Sequence, residues 1–248
     1  RVPKNIDTLY AKLDTIGETY HNYVQRYSSF NLGSSATIAG SGMVISIDLF
    51  KSYFHNPIIM KQFNGVILGE DKILHNHIVT SHEIIAYAGD AFIYDEKISS
   101  GDQVERQRTR WINTYFQNFT QAIILIGRGI LKTNWNSFLF GIISVSPPLF
   151  ILVGMSCILM LVSLFINPIL SLLILTATLV FSFNFILVLK LSKLPNSVMN
   201  AFWYIPFFLF RQFKALLSLK KSKNDFLTTN NSKSVSLDKV LNSTDVNE

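Results

Sequence analysis

Three clusters in this 248-residue chain have residue types and spacings that could do chemistry. The first is Gln107-Arg108-Thr109-Arg110-Trp111. A guanidinium can bind a phosphate or carboxylate by bidentate bonding. An amide can bond phosphate or sugar oxygens, and an indole offers a flat apolar face to the C–H side of a sugar ring. Taken alone, the run also fits a helix start with a buried Trp and solvated basic residues. The second cluster is Glu70-Asp71. One carboxylate can act as a general base while its neighbour orients it or raises its pKa, but first-turn acids at a helix N-terminus have the same pattern. The third is Gly40-Ser41-Gly42, where glycine lets backbone approach a ligand closely or simply turns the chain. His75, His77 and His82 lack the i, i+4 spacing of a helical zinc pair, so no metal ligands are assigned to them. The lone cysteine, Cys157, sits in an apolar run and excludes an intrachain disulfide.

The elements that must position these residues follow from hydrophobic periodicity. Leu9, Leu13, Ile16 and Tyr20 predict a helix within residues 5–31. Met43–Ile47, Ile84–Tyr87 and Ala91–Tyr94 have strand character, and Asp48 is placed to cap a short helix Leu49–Tyr53. Gly69-Glu70-Asp71 opens a helix Lys72–Ser81. Alternating strands and helices of this length predict an α/β domain over residues 1–111. Residues 106–132 are amphipathic, with Trp111, Tyr115, Phe119, Ile123, Ile126 and Ile130 near one face, and residues 112–132 are expected to lie in a membrane interface.

No charged residue occurs between Lys132 and Lys190. Within residues 133–190, Ser137–Ser163 and Pro168–Leu189 are each long enough to cross about 30 Å of hydrocarbon, with a kink at Pro147-Pro148 and a turn at Asn167-Pro168. Asn200–Leu219, inside a basic segment 191–222, reads as interfacial, and 223–248 as a polar tail. Of the net charge of +6, residues 1–132 carry +1 and residues 190–248 carry +5. Positive flanks on both sides of a hairpin place both ends in the cytoplasm. No basic patch interleaved with aromatics supports a nucleic-acid partner.

With these elements in place, Gln107-Arg108-Thr109-Arg110-Trp111 resembles the Q-(Q/R)-x-R-W motif of processive family 2 glycosyltransferases, the group of cellulose, hyaluronan, chitin and poly-N-acetylglucosamine synthases. Glu70-Asp71 resembles the family's acidic motif, Gly40-Ser41-Gly42 its glycine loop before a strand, and Ala91–Lys97 its strand-plus-acidic segment. Phe226-Leu227-Thr228-Thr229 is similar to the segment that folds over the nucleotide in relatives, with Thr228 departing from the pattern. The motifs stand in family order and at family spacing ahead of a membrane hairpin, so the resemblance spans essentially the whole chain.

The resemblance implies an α/β plus membrane α architecture: a partial GT-A-like domain, an interface helix and a transmembrane hairpin in the plasma (inner) membrane. It implies an inverting transferase that moves a hexose or N-acetylhexosamine from a UDP-sugar to a growing β-linked polysaccharide, with an accessory export subunit as a further partner. Asp71 would be the base beside Glu70. Gln107, Arg108 and Arg110 would face the diphosphate, Trp111 the acceptor sugar, Gly40, Ser41 and Gly42 the substrate, and Phe226, Thr228 and Thr229 would gate. The family's Mg²⁺ or Mn²⁺ is expected too, but its D-x-D motif occurs nowhere in the chain. The opening Arg1-Val2-Pro3-Lys4-Asn5 reads like the middle of a protein, so the chain is expected to be a C-terminal half. Two rivals stand beside this reading: non-processive glycosylation of a lipid acceptor, and a catalytically inactive membrane scaffold.

Overall fold

The computed structural model describes residues 1–57, 59 and 69–217. Phe226, Thr228 and Thr229 lie outside the described residues.

The first helix, α1 (Leu9–Asn22), starts where the Thr8 hydroxyl accepts from Ala11 N at 3.2 Å. It continues through a π-helical turn, Tyr23–Ser28, to Asn31, as the periodicity predicts. Helix α2 spans Ile47–Phe54 and α3 spans Glu70–Thr80. Ser46, not Asp48, caps α2, because its hydroxyl reaches Leu49 N while Asp48 sits in the first turn.

The α/β expectation is met only in small part. Among the described residues the strands are β1 (Val2–Pro3) and β2 (Tyr94–Asp95), paired in parallel. Met43–Ser46 and Ile84–Tyr87 have no strand assignment, and Val44 is fully exposed. A strand is stabilised by its ladder partner, and these apolar runs lack one among the described residues. Ala36 N donating to Ile85 O at 2.8 Å, with Ile85 N donating to Ser35 Oγ at 3.0 Å, ties the second run down. The described fold is mostly helical.

Helix α4 (Gly101–Leu131) begins earlier than the apolar period suggests, because Ser100 and Gln103 form a reciprocal capping box. The Gln107–Trp111 run therefore lies inside a helix rather than before one, and a boundary at Trp111 falls within a single element. Val104, Arg108, Ile112, Ala122 and Leu125 face the protein, whereas Trp111, Phe119, Ile123 and Ile130 face outward. Helix α5 (Trp135–Val145) runs back against α4 and buries Phe140.

Pro147-Pro148 ends α5 instead of kinking one long span. Two consecutive prolines remove two backbone donors and push the preceding residue out of the helical region, so a new helix, α6 (Leu149–Ile166), must start after them. Asn167 accepts from Ile169 N and Leu170 N and caps α7 (Pro168–Leu191). Both α6 and α7 are long and apolar enough to cross a membrane. Only 11% and 17% of their apolar windows are buried inside the protein, unlike the core helices of a soluble fold.

The main core forms where α1 meets the C-terminal end of α7. Tyr20 packs on Phe185 at 4.8 Å and edge-on to Phe181 at 5.9 Å, over Leu13, Ile16, Val188 and Leu189. The last helix, α8 (Ile205–Leu217), begins after a 3₁₀ turn, Asn200–Tyr204. It lies along α4, with Arg211 3.4 Å from Glu105, and exposes Trp203, Tyr204, Phe207 and Phe210 near its start. The domain that carries the polar clusters is thus packed directly on the base of the apolar hairpin.

Candidate active site

Helix α4 presents Trp111 half-exposed, at 44%. Beneath it lies Arg108, one turn earlier, with its guanidinium carbon 4.1 Å from the indole centroid. Arg108 is itself buried and donates through Nη2 to Asp14 Oδ1 at 2.6 Å, from the inward face of α1. The indole is therefore held by a cation that a buried carboxylate fixes. Gln107, half-buried on the same helix, has a buried Oε1 with no hydrogen-bond partner among the described residues. Arg110 is half-buried.

Glu70 and Asp71 form the first turn of α3, after Gly69 in the left-handed region at φ 92°. A Cβ on Gly69 would stand 2.2 Å from Thr114 Cγ2. That close approach seats the start of α3 against α4 one turn beyond Trp111, so the acidic pair and the aromatic face share one region. Asp71 Oδ1 accepts from Lys72 N at 2.9 Å. Burial pushes the Asp71 carboxyl above its ordinary range, against the pull of Lys72, while Glu70 is exposed.

The cations form a group of their own. Burial, then the charges of Arg108, Arg26 and Lys72, bring His21 down to about 4, so it is neutral at pH 7. All three cations thus act on His21, which lies on α1.

The Gly40-Ser41-Gly42 loop is anchored at a different place. Gly42, at φ 67°, lies against Ile93, and Arg1 binds Ser41 and donates to Ala39 O at 3.2 Å. Arg1 also reaches Glu18 at 2.5 Å, and Glu18 pairs with Lys97, which contacts Asp95 at 3.1 Å. This network ties the loop to α1 and to the acidic segment after β2.

Asp14, Glu18, Arg26 and Lys72 were not singled out by motif. Asp14 and Glu18, one turn apart on a helix whose neighbouring positions are core, are the signal that could have found them. Asp14→Asn should lower stability by about 1.5–3 kcal/mol, the range for a hydrogen bond to a charged group. Burial raises the Asp14 carboxyl above its ordinary range despite the pull of Arg108, but the neutral amide would leave the buried Arg108 guanidinium without its counter-ion, so a loss is expected here. Thermal unfolding in detergent measures it; an unchanged midpoint would remove the pair from the support of Trp111.

Residues 3–114 match the family model described as glycosyltransferase like family 2. This stretch is therefore similar to family 2 glycosyltransferases. It contains the glycine loop, Glu70-Asp71 and the whole Gln107–Trp111 run, and it ends at Thr114, the residue against which Gly69 packs. No curated protein and no solved structure matches the chain. That similarity suggests glycosyl transfer, and family 2 enzymes commonly use a divalent cation. Among the described residues no three His, Cys, Asp or Glu side chains converge on a metal position. These residues do not fit such an ion.

Proposed function

We propose that the chain acts in an inverting, membrane-embedded transferase that adds a hexose or N-acetylhexosamine from a UDP-sugar to a growing β-linked glycan. The observation that carries this reading is the half-exposed Trp111 held over the buried Arg108–Asp14 pair, with Glu70-Asp71 seated one turn away. The acceptor sugar lies on the indole. Asp71 takes the proton from its hydroxyl, the oxygen attacks the anomeric carbon from the face opposite the diphosphate, and UDP departs. Glu70 is the second carboxylate beside the base. Gln107 and Arg110 face the diphosphate, and Arg26, Lys72 and Arg108 add positive potential behind them. The ion pair with Asp14 gives Arg108 a second role, that of fixing the indole.

Product length tests the polymer assignment. Membranes carrying the active transferase, given radiolabelled UDP-glucose or UDP-N-acetylglucosamine, should yield a polymer. A single-sugar lipid would overturn processivity, and no transfer from a broad set of UDP-sugars would overturn the reading itself.

The outward apolar surface of α6 and α7 supports insertion of the hairpin, with residues 1–132 and 190 onward in the cytoplasm of a plasma (inner) membrane protein. Reporter fusions after Lys132 and Lys193 should both report cytoplasm, and one at Asn167 the outer side. A split between the first two would contradict the hairpin.

A further inference from the structure

A cavity of about 350 Å³ lies between the polar stripe of α1 and the C-terminal end of α7, outside the site described above. We infer that it binds an uncharged sugar unit of the acceptor glycan, an inference that rests on the proposed acceptor role of the chain. Its volume falls at the lower end of the roughly 300–1,000 Å³ of small-molecule sites. Its walls include Glu18, Asn22, Tyr23, Tyr27, Tyr87 and Lys97.

The chemistry of these walls complements a polyol that has one apolar face. Tyr23 and Tyr27 stand 5.4 Å apart at 39°, and Tyr87 meets Tyr27 at 5.9 Å and 78°, so the rings form two faces of a corner. A pyranose can lie with its C–H side on one ring and turn its hydroxyl edge to the polar wall. On that wall Asn22 donates to the Tyr87 hydroxyl at 3.0 Å and accepts from Arg26 at 3.1 Å, which fixes the amide. Burial alone would raise the Glu18 pKa, but Lys97 and Arg1 bring it down to about 2, so it is an ionised hydrogen-bond acceptor at any physiological pH. Lys97 and Arg1 are already committed to Glu18 and Asp95, so a phosphate would have to displace a carboxylate to bind them. The charged and amide groups equally disfavour an acyl chain.

Placement agrees with the chemistry. Tyr23 and Tyr27 stand on the π-helical turn, a wide helical form that recurs at functional sites. Leu191 and Ser192 bring the end of the second apolar helix to the rim, and Tyr27, 45% exposed, leaves an opening. Helix α1 serves both regions: Asp14 holds Arg108 under Trp111, and Glu18, one turn on, lines the cavity. A glycan that leaves the indole would meet this second aromatic corner at the foot of the hairpin.

Binding can be measured without any nucleotide. The detergent-purified protein is titrated with cellotetraose and with chitotetraose, by calorimetry and saturation-transfer NMR. Wild type should bind at least one, Tyr27→Ala should weaken binding at least about 10-fold, and Tyr27→Phe should retain it. Thr19→Phe, which fills the cavity from a half-buried wall position, should weaken binding at least about 10-fold if Tyr27→Ala fails to fold. No binding of either sugar up to about 10 mM, equal to roughly 3 kcal/mol, would overturn the inference. So would binding unchanged by both Tyr27→Ala and Thr19→Phe, or displacement of the sugar by UDP. Donor hydrolysis by the active transferase is measured separately: its absence counts against the proposed function, whereas its presence with no oligosaccharide binding counts against the cavity alone.

Discussion

Asp71→Asn should cut sugar transfer at least about 100-fold, the lower range for loss of a general base, while donor binding stays largely intact. The carboxyl sits in the first turn of α3, held by the left-handed Gly69 against Thr114 and bonded to Lys72 N at 2.9 Å. Burial raises its pKa above that of a free aspartate, so at pH 7 the fold carries a carboxylate less favourable than the same group unfolded. That cost is present above the folded pKa and disappears as pH falls through it. Replacement by the neutral amide should therefore leave the unfolding midpoint at pH 7 unchanged or raise it. The rate has the opposite dependence, because the base must be ionised: its acidic limb should fall at a pH above the ordinary aspartate range. Near-normal turnover would remove Asp71 from the mechanism. A lost rate accompanied by a lowered midpoint would assign it a structural role instead.

The helical part of the fold was legible because its signals are local. Leu9, Leu13, Ile16 and Tyr20 stand at helical spacing and form the core against α7, and Asn167-Pro168 marks the start of that helix. The strands were not legible, because a strand depends on its neighbours. Met43–Ile47 and Ile84–Tyr87 have strand-forming composition, yet among the described residues only Val2–Pro3 and Tyr94–Asp95 pair. Two boundaries were displaced, one by capping and one by proline, both of which outweigh hydrophobic period. Ser100 with Gln103 moves the start of α4 to Gly101, and Pro147-Pro148 divides what apolarity alone makes one span.

The candidate site was legible as motifs and opaque as an arrangement. Glu70-Asp71 and Gln107–Trp111 stand out by type, but nothing local shows that Gly69 brings one against the helix of the other through Thr114. Nor does the run reveal that its two arginines differ, with Arg108 buried on Asp14 and Arg110 half-buried. A partner ninety-four residues away is a tertiary fact. The cavity tyrosines show the same limit: Tyr23 and Tyr27 are helical neighbours, but Tyr87 joins them only through the fold.

Trp111→Ala and Arg110→Ala should fail differently, because the first removes a surface for the acceptor and the second a charge for the leaving group. An indole stacked on a sugar contributes contact area and C–H/π attraction, which a water molecule does not use. Arg110 acts on the diphosphate, which departs whether the acceptor is a sugar or water. The decisive measurement is donor hydrolysis and sugar transfer side by side, on folded protein of each variant. In Trp111→Ala, transfer should fall at least about 10-fold while hydrolysis is largely retained. In Arg110→Ala both should fall together, by about 100- to 1,000-fold, the range for losing one preorganised charge-stabilising group. Equal loss of transfer and hydrolysis in Trp111→Ala would contradict the acceptor platform, and with it the account of how this chain handles its substrate.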